Sequence, residues 1–415
     1  MNRYQDIIGK ANYWLFLAVV ALLPFPQIAL RYACVLWLVG WLLEGRWLKR
    51  PLSLRENKMA IPFLLFGLWY AWKLISGLWA ADIAAWRWEM ERYLTFGLLV
   101  PIGLWGVNAN YDWRQAGKVL IISCIAAIPI YLATMGILYF HFDWCVQHID
   151  EEWSQYGSWW RFLSENVSHI KHRLFLCSVE MFGAIMALEL MNRKNRWLYI
   201  PAIIVMLSAI PLTSSRQSIL TCAALLVVAI IYSMPKRYRL RYGVGILLLG
   251  MVLGGGLLKL HPRMQNFELS HITEMREISY THDIRFNIWG VALQTPGDYL
   301  AYGIGAGQST NYMVAKYQDV GLEYYKEKHY HPHNQYLEEL MEIGIPGLLL
   351  FLLAWLAIPF CAKEKGRETA ILFTALFMMN MLTDCMFGKF CGIALWAVGL
   401  MFMLMQSRPQ SPEEV

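Results

Sequence analysis

Long apolar runs recur along this sequence from one end to the other, separated by shorter polar segments. A helix needs roughly 20 apolar residues to cross the ~30 Å hydrocarbon core of a bilayer, and it satisfies its own backbone hydrogen bonds there. Because 57% of the residues are hydrophobic and only 16% are charged, an ordinary soluble globular domain is excluded. The runs therefore predict an all-α, polytopic membrane protein.

Twelve of these runs are candidate transmembrane helices. They lie at residues 13–30, 32–44, 60–79, 93–108, 117–140, 173–192, 197–213, 217–234, 242–260, 345–361, 369–385 and 390–406. This divides the chain into a nine-span region at 1–260, a long loop at 261–344, and three spans with a tail at 345–415. The first run follows a charged segment without a small-residue cleavage site, which predicts a retained span and not a removed signal peptide.

Lys and Arg are concentrated in one alternate set of connecting segments, which includes residues 45–58 and 235–241. By the positive-inside rule these segments are cytoplasmic. The even span count then places both termini in the cytoplasm and the loops at about 141–172 and 261–344 on the outer face. The net charge of +6 follows this sidedness and does not indicate nucleic-acid binding.

A second group of charges is predicted at the outer ends of the spans, against the usual bias of Arg toward the cytoplasm. It consists of Arg92, Arg173, Arg216, Arg285, Asp384 and Lys389. Charges at or within spans are costly and are candidates for function. Arg216 lies in the short turn PLTSSRQS, where the structural alternative is binding of helix carbonyls or lipid phosphate. Arg285 lies in THDIRFNIWGVAL, where the apolar spacing suggests an amphipathic helix and the structural alternative is a loop salt bridge with Asp283 or Glu277.

Lys73 is placed inside the third span, in WYAWKLISGLW. A buried charge there is a candidate for function, and the alternative is a side chain that snorkels to the interface.

The segment HPHNQYLEELMEIGIPGLLL brings His331, His333 and Asn334 to the start of the tenth span. Asn334 is predicted as a helix N-cap, and Gly344 with Pro346 should break a short interfacial helix and restart a span. A histidine at such an interface also has a structural alternative, as a capping or surface residue.

The preceding stretch YGIGAGQST resembles a phosphate loop only superficially, because no strand precedes it. Gly303, Gly305 and Gly307 instead predict a tight loop packed beside the site. No CxxC or HExxH spacing is present, so neither a metal nor another cofactor is predicted.

Several arginines and an imidazole at an outer interface suit an anionic lipid headgroup and a proton transfer. Arg matches phosphate oxygens and stays charged when desolvated, and His accepts a proton near neutral pH. These groups fit displacement of a lipid pyrophosphate by a sugar hydroxyl. The donor must be lipid-linked, because nucleotide sugars are not available outside the cell.

The ordered motifs TSSRQS, IRFNIW, GIGAG and HNxxLxxxxxxGIxG, on about twelve spans with a long outer loop, resemble the bacterial O-antigen ligase and O-antigen polymerase superfamily. The resemblance covers about residues 60–400, with the specific motifs in 213–347. It implies metal-independent, inverting transfer of a glycan from undecaprenyl pyrophosphate to an acceptor on the periplasmic side of the inner membrane. The acceptor is either the lipid A core or a second lipid-linked glycan.

Residue by residue, the resemblance implies that His333 is the catalytic base and that Arg216 and Arg285 hold the donor pyrophosphate. Asp384 is implied to orient a partner. Supporting roles in the active site are expected for five further residues, which are Arg92, Arg173, Lys73, Asn334 and His331. His331 competes with His333 for the base role, and we choose His333 because Asn334 follows it directly, as the family pattern requires.

The motifs do not separate a ligase from a polymerase or a protein O-glycan ligase, since all three share the donor chemistry. We favour the ligase because the long outer loop is compact. A lipid-linked glycan flippase is the non-enzyme alternative, and it would need charges along several spans, where few besides Glu180 and Glu189 occur. A purely structural membrane protein leaves the outer arginines unexplained.

Overall fold

The structure is a computed structural model. It describes residues 3–140, 171–213, 215–233 and 284–408, together with isolated positions between 237 and 252. Residues 141–170 of the predicted outer loop, most of the ninth span at 242–260 and the first part of the long loop at 261–283 lie outside the described residues.

All regular elements of the described segments are helical. The α-helices are α1 Arg3–Leu22, α2 Gln27–Leu43, α3 Ala60–Ile75, α4 Ile83–Trp105, α5 Trp113–Phe140, α6 Arg173–Leu190, α7 Arg196–Leu212, α8 Arg216–Ser233, α9 Ile284–Ala292, α10 Ser309–Asp319, α11 Glu323–Glu327, α12 Gln335–Cys361, α13 Arg367–Asn380 and α14 Phe390–Gln406. Short 3₁₀ turns connect some of them. The all-α prediction is confirmed for this part of the chain.

The boundary between the first two predicted spans is wrong. Residues 13–30 are not one helix, because α1 ends at Leu22 and α2 begins at Gln27. Pro24 and Pro26 lie in the break, and Pro26 has the extended conformation of a residue that precedes a helix (φ −54°, ψ 145°). Proline cannot continue the hydrogen-bond ladder of α1, so the chain turns here and not near residue 31.

Within the described residues, four helical segments are long and apolar enough to cross a membrane, by length and composition. They are Gln27–Leu48, Ala60–Leu78, Trp113–Ile137 and Gln335–Cys361. Shorter apolar helices occupy Arg196–Ile210, Gln217–Tyr232 and Phe390–Gln406. The chain is therefore a membrane protein with several helical spans, and the count of twelve remains a prediction.

Helices α3, α4, α12 and α14 meet in an aromatic core. Phe66 and Phe96 contact the ring of Trp396 at centroid distances of 4.9 Å and 4.1 Å. Trp355 packs on Phe66 from α12 at 5.5 Å. These side chains are fully buried, and rings in such tilted and edge-on arrangements add stability beyond the area that they bury. The core fixes the helices on which the polar groups described below are mounted.

Helix α12 bends at Gly344, which has a φ of +67° inside an otherwise helical segment. Pro346 has no N–H for the carbonyl of Glu342, and that carbonyl accepts instead from the Gly305 amide at 2.9 Å. The Met341 carbonyl likewise accepts from the Ile304 amide at 2.9 Å. The predicted break at Gly344 and Pro346 is confirmed, and the glycine loop supplies the hydrogen bonds that the break leaves unmade.

The glycine loop depends on its unusual backbone. Gly303, Gly305 and Gly307 all have positive φ, between 76° and 101°. A Cβ at Gly307 would lie 2.7 Å from the carbonyl oxygen of Ala85, which belongs to α4. Glycine is therefore required both by the conformation and by the close approach of α4. The predicted tight loop is confirmed.

The part of α12 before the bend packs on a small cluster of its own, which also includes residues of α9, α10 and α11. Its buried members are Ile288, Val291, Ala292, Tyr299, Met313, Tyr317, Tyr325, Leu337 and Met341. The amphipathic helix predicted around Arg285 is present as α9, with Ile288, Val291 and Ala292 on its buried face.

Lys73 does not snorkel. Its side chain is completely buried, and its Nζ lies 2.8 Å from Glu342 and 3.3 Å from Glu339. Two tryptophans on the same face of α3 also donate to α12. Trp69 Nε1 donates to Glu339 at 2.8 Å, and Trp72 Nε1 donates to the carbonyl of Ile343 at 3.0 Å. The snorkelling alternative is wrong because two carboxylates of α12 face the ammonium group.

Candidate active site

The turn at 381–389, between α13 and α14, is contacted by several of the predicted site residues. Arg285 Nε donates to the Thr383 carbonyl at 2.7 Å, and Arg92 donates to the Gly388 carbonyl at 3.0 Å. Gln335, the first residue of α12, accepts from the Phe387 amide at 3.0 Å. The turn therefore joins α4, α9 and α12 at one point.

His333 and Asp384 face each other across this turn. The His333 Nδ1 lies 3.7 Å from the Asp384 Oδ1, slightly beyond hydrogen-bond length. Burial by itself raises the pKa of the Asp384 carboxyl, but the facing imidazoles of His333, His172 and His331 outweigh it and hold the pKa well below its ordinary value. An ionised carboxylate at this position favours the tautomer with the proton on Nδ1, which leaves the His333 Nε2 able to accept a proton.

His333 also has an uncommon backbone. Its φ is +48°, in the left-handed region that non-glycine residues rarely adopt. Asn334 follows in an extended conformation, and its side chain accepts from the Leu337 amide at 3.1 Å, so the predicted N-cap is confirmed. The capped helix start holds the strained residue in place, and such strain is commonly found at functional sites.

His331 stacks against His333, with ring centroids 3.9 Å apart. The His333 backbone N–H donates to the His331 Nδ1 at 3.2 Å, which places the proton of the neutral ring on Nε2. Burial, and secondly the neighbouring His333, lower the pKa of His331. A neutral ring whose available nitrogen carries a proton is a hydrogen-bond donor and is poorly suited to act as the base.

A cavity of about 350 Å³ opens beside the two histidines. His331 and Asp384 line it, and so do the cationic side chains of Arg92 and Lys389. Arg92 is mostly buried, with its guanidinium 4.8 Å from the ring of Trp88 and paired with Glu89. The cavity thus combines cations with a histidine–aspartate pair at its edge, a combination suited to an anionic substrate and a proton transfer.

Two further predicted arginines, Arg216 and Arg173, are the first residues of helices. Arg216 is the first residue of α8, and the following Gln217 donates to the Met379 carbonyl at 2.7 Å, which brings this helix start to the end of α13. The Arg216 side chain lies outside the described part. Arg173 is the first residue of α6, and Phe175, two residues later, lines the cavity.

Three glutamates of the cavity wall were missed by the sequence prediction. Glu89 comes from α4, and Glu338 and Glu342 come from the first part of α12. The sequence signal for Glu338 and Glu342 is the acidic run EELME at the start of an apolar span. Lys73, predicted as a possible site residue, lies behind this wall and pairs with Glu342.

In the part of the chain that the structure describes, two overlapping groups of side chains could hold a metal ion. The first is His331, His333 and Asp384, and the second is His331, Glu338 and Cys385; within each group the ligand atoms lie within 4.8 Å of one another. Imidazole and thiolate are ligands that zinc prefers. The expectation of a metal-free site is therefore open to a direct test. The other described cysteines are free thiols, and Cys145 lies outside the described residues.

A protein-family model described as O-antigen ligase matches residues 201–352. The matched segment contains Arg216, Arg285, both histidines and the bend at Gly344. No curated protein matches the chain.

Proposed function

Because residues 201–352 place the chain in the O-antigen ligase superfamily, we propose that it is a membrane glycosyltransferase that moves a glycan from undecaprenyl pyrophosphate to an acceptor hydroxyl. In its most specific form, the proposed reaction is ligation of O-antigen to the lipid A core. The superfamily implies lipid-linked glycan substrates and a membrane environment.

In this mechanism His333 Nε2 takes the proton of the acceptor hydroxyl while the hydroxyl oxygen attacks the anomeric carbon of the donor glycan. The bond between that carbon and the pyrophosphate oxygen breaks, and undecaprenyl pyrophosphate leaves from the opposite face, so the configuration inverts. Asp384 orients the imidazole and stabilises its charged form.

The charge that develops on the leaving pyrophosphate requires cations. Arg216 and Arg285 are proposed to bind it, supported by Arg92 and Arg173. Lys389, which belongs to the predicted group of outer charges and lines the cavity, adds a further positive charge. This account needs no metal ion and no other cofactor.

The observation that carries the proposal is the approach of His333 Nδ1 to Asp384 at 3.7 Å, at the edge of a cavity that Arg92 and Lys389 also line. A base with an orienting acid beside cations is what an acid–base displacement of a phosphate leaving group requires.

The membrane arrangement belongs to the same proposal. Twelve spans with cytoplasmic termini place the 284–344 segment and the 381–389 turn at the periplasmic face of a bacterial inner membrane. Lipid-linked glycans are presented there. Reporter fusions within residues 284–344 test this sidedness, and a cytoplasmic signal from them would remove the basis of the mechanism.

The acceptor separates the two enzyme candidates. Purified protein in vesicles is supplied with an undecaprenyl-pyrophosphate glycan and with either lipid A core or a second lipid-linked glycan. Transfer to the lipid A core supports a ligase, and elongation of the lipid-linked glycan supports a polymerase of the same superfamily. Translocation of the donor without any transfer would support the flippase alternative and contradict the proposed function.

A further inference from the structure

The wall of the cavity carries more acid than a pyrophosphate site requires. Among the described residues, Glu89, Glu338, Glu342 and Asp384 line it together with Arg92 and Lys389, and Lys73 behind the wall pairs with Glu342. Carboxylates repel pyrophosphate and accept hydrogen bonds from hydroxyl groups. The acidic part of the wall therefore suits a neutral, hydroxyl-rich group better than it suits an anion.

The glutamates of the wall differ in how far their oxygens are already engaged. Glu342 accepts from the Lys73 ammonium and from the Ser309 hydroxyl, both at 2.8 Å. Glu338 accepts from the Gln335 amide at 3.0 Å. Each of these two side chains is thus held by groups of the protein itself.

Glu89 retains an unused acceptor. Its side chain is 3% exposed, and its Oε2 is paired with Arg92. Its Oε1 is buried and has no hydrogen-bond partner among the described residues. Leaving a buried acceptor without a hydrogen bond is destabilising, and more so for a charged group. A carboxylate oxygen kept in this state on a cavity wall indicates a hydrogen-bond donor supplied by a ligand.

Trp88 lies next to this carboxylate in the sequence and also lines the cavity. Its ring is 63% exposed, and one face is approached by the Arg92 guanidinium at 4.8 Å. An exposed aromatic ring beside hydrogen-bond acceptors matches a sugar, which has an apolar C–H face and a rim of hydroxyls.

We propose that the acidic wall is a saccharide subsite, in which Glu89 Oε1 accepts a hydrogen bond from a sugar hydroxyl and Trp88 packs against the sugar ring. The inference rests on the proposed glycosyl transfer and adds to it the residues that recognise the sugar. The sugar belongs either to the acceptor or to the donor glycan, since both offer the same chemistry.

The test compares Glu89→Gln with Glu91→Gln in the full-length protein. Glu91 is an exposed residue of the same helix that does not line the cavity, so it controls for the loss of a carboxylate from α4. In the vesicle assay we expect Glu89→Gln to raise the KM for one glycan substrate about tenfold or more, because a charge-assisted hydrogen bond is lost, while kcat changes little. The substrate whose KM rises identifies the source of the sugar.

A binding measurement keeps this inference separable from the proposed function. The glycan of each substrate is released from its lipid and phosphate groups, and its binding to the purified protein is followed by saturation-transfer NMR without turnover. We expect binding to wild type and to Glu91→Gln, and about tenfold weaker binding to Glu89→Gln. This result supports the subsite even if no transfer is ever detected.

Trp88 provides a second pair of variants should Glu89→Gln fold poorly. Because the ring is exposed, Trp88→Ala should leave the thermal stability unchanged and weaken glycan binding, and Trp88→Phe should restore most of it. Equal binding of the released glycans to wild type, Glu89→Gln and Trp88→Ala would overturn the subsite, as would a lack of binding to wild type at any soluble concentration. Transfer with unchanged KM values in Glu89→Gln would overturn it while leaving the proposed function intact.

Discussion

Lys73 and Glu342, 269 residues apart in the sequence, form an ion pair of 2.8 Å with both side chains almost completely buried. Glu339 approaches the same ammonium at 3.3 Å. Two buried carboxylates around one buried cation form an arrangement that is strongly destabilised when one partner is removed, because the other charge is left without compensation. The pair connects α3 to the part of α12 that precedes the bend.

Replacing Lys73 by Met should lower the free energy of unfolding by about 3–5 kcal/mol. Lys10, whose pair with Asp6 at 3.0 Å is solvent-exposed, provides the matched control, and Lys10→Met should have little effect. Thermal unfolding in detergent measures both. Similar melting temperatures for the two variants would show that the buried pair does not stabilise α12.

Replacing His333 by Ala should reduce kcat for glycan transfer by about 10²–10⁴, the usual contribution of a general base. His329→Ala is a close control, because His329 lies in the same connection, has a similar left-handed φ of 49° and is exposed. It should retain activity. Glycan transfer at the wild-type rate by His333→Ala would mean that another group is the base, and His331 would be the first to examine.

Stability should fall as the pH is lowered below about 6.5, because burial lowers the pKa of His331. The folded protein keeps this imidazole neutral while the unfolded chain takes up a proton. Protonation therefore stabilises the unfolded state and lowers the free energy of unfolding. A single group contributes a slope of at most about 1.4 kcal/mol per pH unit. Melting curves between about pH 5 and 7 should show a smaller slope for His331→Gln. An unchanged slope would exclude His331 as its origin.

Replacing Gly303 by Ala should be far more disruptive than the same change at Gly321. Both residues have positive φ, 78° and 75°, so the backbone penalty of about 1–3 kcal/mol is shared. A Cβ at Gly303 would in addition overlap the backbone of Glu342 and Ile343, whereas nothing lies within 4 Å at Gly321. We expect Gly303→Ala to lose more stability than Gly321→Ala and to lose transfer, whereas Gly321→Ala should keep transfer. Equal effects would mean that the contact with the bend is dispensable.

Transfer should continue in the presence of EDTA, since the proposed mechanism uses arginines and a histidine–aspartate pair. The experiment is a stringent test because the side chains of His331, His333 and Asp384 could hold a metal ion. Loss of activity that returns on addition of Zn²⁺, together with metal bound by wild type and not by Asp384→Asn, would replace the metal-free account with a metal site at these residues.

Features governed by local chemistry could be predicted from the sequence. The cap by Asn334 and the break at Gly344 depend on residues within a few positions, and both are present. The ion pairs of Lys73 could not be predicted, because its partners lie on α12 and apolar periodicity contains no information on pairing. The wall position of Glu89 and the contacts of the 381–389 turn likewise depend on how distant helices pack.

The bend in α12 allows two halves of one helix to take their orientations from different surroundings. Helices in bilayers tilt to match the hydrocarbon thickness, and a straight α12 would transmit each such tilt to the residues at its start. The half after Gly344 can follow the lipid, while the half that begins at Gln335 is held by the amides of the glycine loop and by the ammonium of Lys73. The position of His333 is thereby separated from the thickness of the membrane that surrounds it.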